Sequence, residues 1–358
     1  MRSNFKDFRS FAEEVTRIEQ AKQDLLAPMA RVAMLEPSKL QVGDTSFGLT
    51  NNGHRQLAEK VGVPWDYYEK AATVPGLREY NVNAWARAQQ NDKRLFRVLD
   101  GNVRAVLSSR FKPLDNFALL DAVVPALKDV GNDRMLMRTY ALTESHLYLQ
   151  VGFPTTETPV VQPDRHEALA KPIRLMAGLT IRNSEVGKSK FLIALTVWNL
   201  ACWNGLITEN VLQQYHLGGE LNGDEAANGN IWRDDTLAKE LELIRLKARD
   251  IVRDAMDPAR MLPVVDKARV ALGDEVKVET EQLVTNVTKR FGLTQGEAKG
   301  AIENMMLEGR GNLTRWGLVN GINALVHKME DTDRQYEMER TAAALLEFKP
   351  NEWAMIAN

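Results

Sequence analysis

Seven cationic side chains and one phenylalanine are spaced as a phosphate chain would require. Arg97 and Arg104 flank an Asp-Gly-Asn turn, Arg110 and Lys112 follow with Phe111 between them, and Arg182, Lys188 and Lys190 bracket a later polar turn. Cations neutralise phosphates and an interleaved aromatic offers a base a stacking face, so the pattern points to single-stranded nucleic acid. The competing interpretation is that charges on alternating strand positions form the solvated face of a half-covered sheet. The concentration is local: Lys93 to Lys112 holds six basic residues against Asp100, and Arg165 to Lys190 holds six against Glu167 and Glu185. The whole chain of 358 residues balances 46 basic against 48 acidic residues, so no overall basic field announces a nucleic-acid partner.

Signatures of covalent chemistry are weaker. Gly187-Lys188-Ser189 resembles the end of a phosphate-binding loop, but Arg182 stands where that pattern needs its first glycine, so the segment reads as a polar turn. The five histidines (His54, His146, His166, His216, His327) have no partner at ligand spacing. His146, in a strand-like alternation, reads as structural rather than as a base. Asp115 and Glu185 could hold a divalent ion through oxygen, a chemistry that leaves no reliable sequence signature. Cys202 is the only cysteine, which excludes an internal disulfide and suits a reducing compartment; its apolar surroundings read as core. No cofactor is implied.

The elements that must position these groups follow from periodicity. Residues 4–35 read as one helix, with Phe8, Phe11, Val15, Ile18 and Ala21 on a stripe. Residues 43–50 read as a short strand or loop. Asn51 to Ala72 reads as helix, break at Gly62-Val63-Pro64, and second helix. That spacing suits a helix-turn-helix, but Trp65, Asp66, Tyr67, Tyr68 and Glu69 open the second helix where a groove reader needs basic residues, so packing is the expectation. The middle of the chain alternates: LFRVLD, VRAVLSSRF, MLMRTYALT, SHLYLQVGF and IRLMAGLTIRNSEV predict an antiparallel sheet, with a tight hairpin at Asp100-Gly101-Asn102. NFALLDAVVPALKDV predicts an embedded helix capped by Asp115 or Asn116, and residues 191–206 a second helix ending near Asn204-Gly205. Residues 216–231, rich in Gly, Asn and Asp, read as a mobile loop. Beyond it helices are expected from about 234, then at about 276–290, 295–308 and 313–347. The expected fold is therefore α+β: residues 1–90 mainly helical, 91–215 an α+β core, 216–231 a loop, and 232–358 a helical region. The charged opening MRSNFKDFRSFAEEV lacks an export signal, and Phe191 to Trp203 is too short to span a bilayer. A cytoplasmic location without membrane insertion is the expectation.

Three strings stand in order along the chain: Arg104-Ala-Val-Leu-Ser-Ser-Arg-Phe-Lys-Pro-Leu-Asp-Asn116, Asn183-Ser-Glu-Val-Gly187 and Ala201-Cys-Trp-Asn-Gly205. Together they resemble the phage/plasmid-like proteins grouped as domain of unknown function 932. The likeness continues through LTNNGHRQLAEKVGVPWDYYEK, Leu313 to Ala324 and Tyr336 to Leu346. The resemblance implies a protein of bacteriophages or mobile elements, working in a bacterial host, with no catalytic residues to transfer. A stranded core with an embedded helix and a helical tail is also similar in outline to phage single-strand annealing proteins, an analogy of fold alone. The expected function is single-stranded DNA binding or annealing by an oligomer, without covalent chemistry. The site residues are Arg97, Arg104, Arg110, Phe111, Lys112, Arg182, Lys188 and Lys190. A tail face of Trp316, Leu318, Val319, Ile322, Leu325 and Val326 could serve self-association or internal packing. The alternatives are a metal-dependent enzyme of nucleic-acid metabolism working through Asp115 and Glu185, and an interaction or counter-defence protein that grips a host factor.

Overall fold

The computed structural model describes residues 5, 7–111, 113–131, 135–160, 173–200, 204–214, 234–309 and 313–358. The fold is α+β, as composition and periodicity predict. Among the described residues it has two six-stranded sheets where one antiparallel sheet was expected.

Two strands of the first sheet come from residues 4–35, which were expected to be one helix. Helix α1 (Phe8–Ala21) begins at Asp7, whose side chain accepts a hydrogen bond from the Ser10 N–H, and buries Phe11, Val15 and Ile18. The helix stops there. Strands β1 (Lys22–Pro28) and β2 (Val32–Glu36) follow, since Pro28 cannot sit in the interior of a helix running on to residue 35. After β3 (Lys39–Val42) and β4 (Thr45–Leu49) come helices α2 (Asn51–Val61), α3 (Trp65–Ala71) and α4 (Leu77–Ala88). Gly62 at φ 78° closes α2, and Pro64 precedes α3, as the sequence predicts. The pair packs rather than projects: Gln56 Nε2 donates to Val186 O at 2.8 Å, and the Val106 N–H donates to Gln56 Oε1 at 2.8 Å. Strands β5 (Lys93–Leu99) and β6 (Asn102–Ser108) form the expected hairpin, with Asp100 and Gly101 both at positive φ. They complete the order β1-β5-β6-β4-β3-β2, in which β4 and β6 run parallel. The boundary expected at residue 90 therefore cuts through this sheet.

Helix α5 (Asn116–Gly131) leads into the second sheet: β7 (Leu136–Leu142), β8 (Leu147–Gly152), β9 (Thr158–Val160), β10 (Ile173–Asn183), β11 (Phe191–Asn199) and β12 (Asn204–Gln214). The helix expected over 191–206 is instead β11 and the start of β12. Every residue from Phe191 to Asn199 is buried, so the run FLIALTVWN is apolar on both faces of a covered strand, which its length cannot distinguish from a core helix. Cys202 and the expected loop at 216–231 lie outside the described residues.

One face of the second sheet, through Leu149, Val151, Leu179, Ile181, Ile193 and Leu195, joins a core with α1, α5 and helix α6 (Asp234–Ala255). Helices α7 (Leu262–Gly273), α8 (Thr280–Phe291), α9 (Gln295–Gly309), α10 (Arg315–Val326), α11 (Thr332–Leu346) and α12 (Pro350–Ala357) follow. The helix expected over 313–347 is thus two, split by a short turn, and α7 was not foreseen. Of the two uses open to the tail face, self-association or internal packing, the structure has the second: Trp316, Leu318, Val319, Ile322 and Leu325 are buried in a core with α7, α9 and α11, with Val326 partly buried beside them.

Candidate nucleic-acid interface

Two of the strings picked out in the sequence, Arg104 to Asn116 and Asn183 to Gly187, meet in space. The β10–β11 turn, Asn183 to Lys190, is plugged into the first sheet and into the N-terminus of α5. Asn183 Nδ2 donates to Leu114 O at 2.8 Å and to Asn116 Oδ1 at 2.9 Å. Glu185 Oε1 accepts from the Asn116 N–H at 2.7 Å, placing a carboxylate where the helix dipole favours one. Val186 packs on Ala105 and Leu107. Gly187 stands at φ 72°, and a Cβ there would lie 2.8 Å from Leu107 Cδ2 and 3.4 Å from the Phe111 ring.

This plug accounts for Arg97 and Arg104, which the sequence places among the phosphate contacts. Arg97 is fully buried: Nε donates to Asp24 Oδ1 at 2.9 Å, Nη1 to Glu185 O at 2.8 Å and Nη2 to Asp115 Oδ1 at 2.6 Å. Asp115 gives its other oxygen to Lys22 Nζ. Burial alone would push the Asp115 carboxyl up; Arg97 and Lys22 outweigh it and hold the group below the usual carboxylate range. Arg104 is 5% exposed, with Nη1 2.8 Å from Glu185 Oε2. That contact lacks hydrogen-bond alignment, so it is an ion pair rather than a hydrogen bond. Neither guanidinium faces solvent, and acids already neutralise both. The two arginines hold the sheets together and leave the phosphate-contact set.

The same pairing removes the basis for a metal at Asp115 and Glu185. All four of their carboxylate oxygens already face a cation or an N–H donor. Among the described residues no cluster of three or more potential ligands exists.

What stays on the surface is smaller. Arg110 and Lys188 are exposed, Phe111 and Lys190 half-buried. A Cβ on Gly187 would lie 3.4 Å from the Phe111 ring, so the backbone at Lys188 runs close to the backbone at Arg110. Lys112 lies outside the described residues.

Arg182 belongs to a different group, which sequence reasoning missed. On the second sheet's other face, Tyr148, Gln150, Thr180 and Arg182 meet a polar stripe of α11 formed by Asp333, Tyr336 and Glu339. His146 Nδ1 lies 2.8 Å from Asp333 Oδ1, and Arg182 Nη2 lies 2.7 Å from His146 Nε2. Arginine can only donate, so Nε2 accepts and the ring proton sits on Nδ1, donated to Asp333. Burial, aided by Arg182 and Lys188, pushes the His146 pKa down although Asp333 opposes it. Tyr148 also donates to Asp333, at 2.5 Å, and the Arg182 guanidinium lies over the Tyr336 ring at 4.4 Å. Deeper in the seam, Glu339 accepts from Gln150 Nε2 at 2.8 Å. Burial pushes its carboxyl up to about 8, with Gln150 and Arg138 opposing. Both nitrogens of His146 are occupied, so it serves as a clamp between sheet and helix. The partners of His146 and Gln150 lie far along the chain; the only signal was the i, i+3, i+6 spacing of Asp333, Tyr336 and Glu339.

Compared with family models, with curated proteins and with solved structures, the chain finds no match. Among the described residues no helix is long and apolar enough to cross a membrane.

Proposed function

We propose that the chain binds single-stranded DNA as an annealing-type protein of a phage or mobile element, through the surface around the β10–β11 turn. The observation that carries this is the close approach of the β10–β11 turn to Phe111, where a Cβ on Gly187 would lie 3.4 Å from the ring, so that the backbone of the exposed Arg110 and Lys188 passes the same point. The two exposed cations grip neighbouring phosphates there, with the half-buried Phe111 ring beside the path of the bases. Arg97 and Arg104 act beneath this surface by fixing the turn that presents Lys188. Annealing requires no covalent step, so a site built of cations and one ring is sufficient for it. Action in the bacterial cytoplasm belongs to the same proposal and rests on the family resemblance.

The test is fluorescence anisotropy of a labelled single-stranded oligonucleotide across a salt series. The expected result is binding at low salt whose log–log slope falls in magnitude by about 0.7 for each phosphate no longer held in Arg110→Ala and Lys188→Ala. A folded wild-type chain that leaves the oligonucleotide free at low salt overturns the proposal.

A further inference from the structure

We propose that strand β1 is a self-association edge, pairing antiparallel with β1 of a second copy of this chain. β1 ends the first sheet, bonded on one side to β5. Among the described residues the backbone of Gln23–Pro28 makes no hydrogen bond on its other side. An unpaired strand edge is a template for another strand, and folded proteins commonly block theirs. This chain blocks two others. At the opposite end of the same sheet, the Asn83 side chain closes β2 by accepting from the Met34 N–H at 2.7 Å and donating to Met34 O at 2.9 Å. In the second sheet the Phe5 N–H covers β7 by donating to Tyr140 O at 3.3 Å. Among the described residues nothing covers β1 in this way, and Leu26 on it is 58% exposed.

The partner follows from the strand itself. A two-fold axis perpendicular to the sheet pairs identical edges antiparallel, the arrangement a closed dimer requires. Centring that axis on Leu26 sets the two exposed leucines opposite each other, Leu25 opposite Ala27, and Asp24 opposite Pro28. A register centred on Asp24 would oppose two carboxylates, which is unfavourable. Pro28, lacking an N–H, falls at the end of the paired stretch. Leu26 pairs with Leu95, and Leu95 shares a small apolar cluster with Phe111 and Val186, so the two Arg110–Phe111–Lys188 surfaces would share one face of a continuous sheet.

The test is light scattering without DNA, which keeps it independent of the nucleic-acid proposal. The wild type should give the mass of two chains in the micromolar range, and Leu26→Lys, which places a charge on the edge, the mass of one with an unchanged melting temperature. Leu26→Cys in a Cys202→Ser background should form a disulfide-linked dimer on mild oxidation, since opposed residues of antiparallel strands lie about 4.5–5.5 Å apart between Cα atoms. A wild type with the mass of one chain throughout overturns the inference, as does a dimer that survives Leu26→Lys. If Leu26→Lys misfolds, the cross-link decides, and its failure to form in a folded chain is equally fatal.

Discussion

Glu185 Oε1 accepts a hydrogen bond from the Asn116 N–H at 2.7 Å, while Oε2 lies 2.8 Å from Arg104 Nη1. One buried carboxylate on the β10–β11 turn thus caps α5 and neutralises a cation of the first sheet. The turn is a structural pin, and the stability of both sheets depends on it.

Glu185→Ala leaves Arg104 buried without a counter-charge and orphans the Asn116 N–H. Removing one partner of a buried pair costs about 3–5 kcal/mol. Urea unfolding should show a midpoint lowered accordingly at unchanged slope. Glu185→Gln keeps an acceptor for Asn116 but not the charge, and should fall between the two. An alanine variant as stable as the parent would mean that the turn does not pin the sheets.

The pin explains what the sequence could and could not convey. Arg97 and Arg104 sit on strands whose alternation was legible, and a charged residue on such a strand ordinarily faces water. Their burial depends on Asp24, Asp115 and Glu185, which lie well apart from one another along the chain. No local pattern reports such a meeting. Phe191 to Asn199 was misread for a related reason: a strand covered on both faces loses the alternation that would identify it. Trp316 to Leu325 made an apolar face that periodicity showed, but periodicity does not say what covers a face. The helices α2, α3, α6, α8 and α9 and the β5–β6 hairpin were legible because local spacing and turn residues determine them.

The Glu339 carboxyl gives the α11 seam an alkaline limit. Its ordinary pKa is 4.5 and burial raises it to about 8, so the folded state retains a proton that the unfolded chain releases. Stability linked to this group is complete below pH 4.5, declines between 4.5 and about 8 by up to about 1.4 kcal/mol per pH unit, and is gone above. Glu339→Gln, which resembles the protonated acid, should flatten that limb. A thermal-melting series over this range in both chains checks it; parallel curves would sink the assignment.

His146 sets the acid limit with the opposite sign. Its folded pKa lies below the ordinary 6.5, so the unfolded chain takes up a proton first. The associated stability is present above pH 6.5 and is lost as pH falls below it. Protonation would also turn Nε2 into a donor facing Arg182. His146→Asn should lower stability at neutral pH yet lose less on acidification than the wild type does. A variant that loses the same amount would show that another group titrates there.

Gly187 stands at φ 72° with Leu107 Cδ2 2.8 Å from the position of a Cβ. Gly187→Ala therefore meets both backbone strain and crowding, about 1–3 kcal/mol together. Because the Phe111 ring is the next neighbour, the substitution should also weaken oligonucleotide binding. A destabilised variant with unchanged affinity would separate the turn from the interface.

The division between buried and surface cations gives the sharpest test of the site. Arg97→Met removes a charge that touches only Asp24, Asp115 and the Glu185 carbonyl, leaving the Glu185 carbonyl without this donor and Asp115 with Lys22 as its remaining cation. It should lower the unfolding free energy by about 1.5–3 kcal/mol, the range for lost hydrogen bonds to charged groups, and leave the salt dependence of DNA binding by the folded protein unchanged. Arg110→Ala combined with Lys188→Ala should do the reverse, because Arg110 and Lys188 are exposed: stability stays within about 0.5 kcal/mol of the parent, and the log–log slope drops in magnitude by about 1.4 for two phosphates no longer neutralised. If the buried arginine governs the salt slope, or the exposed pair leaves it untouched, the strand follows a path other than the one past Phe111.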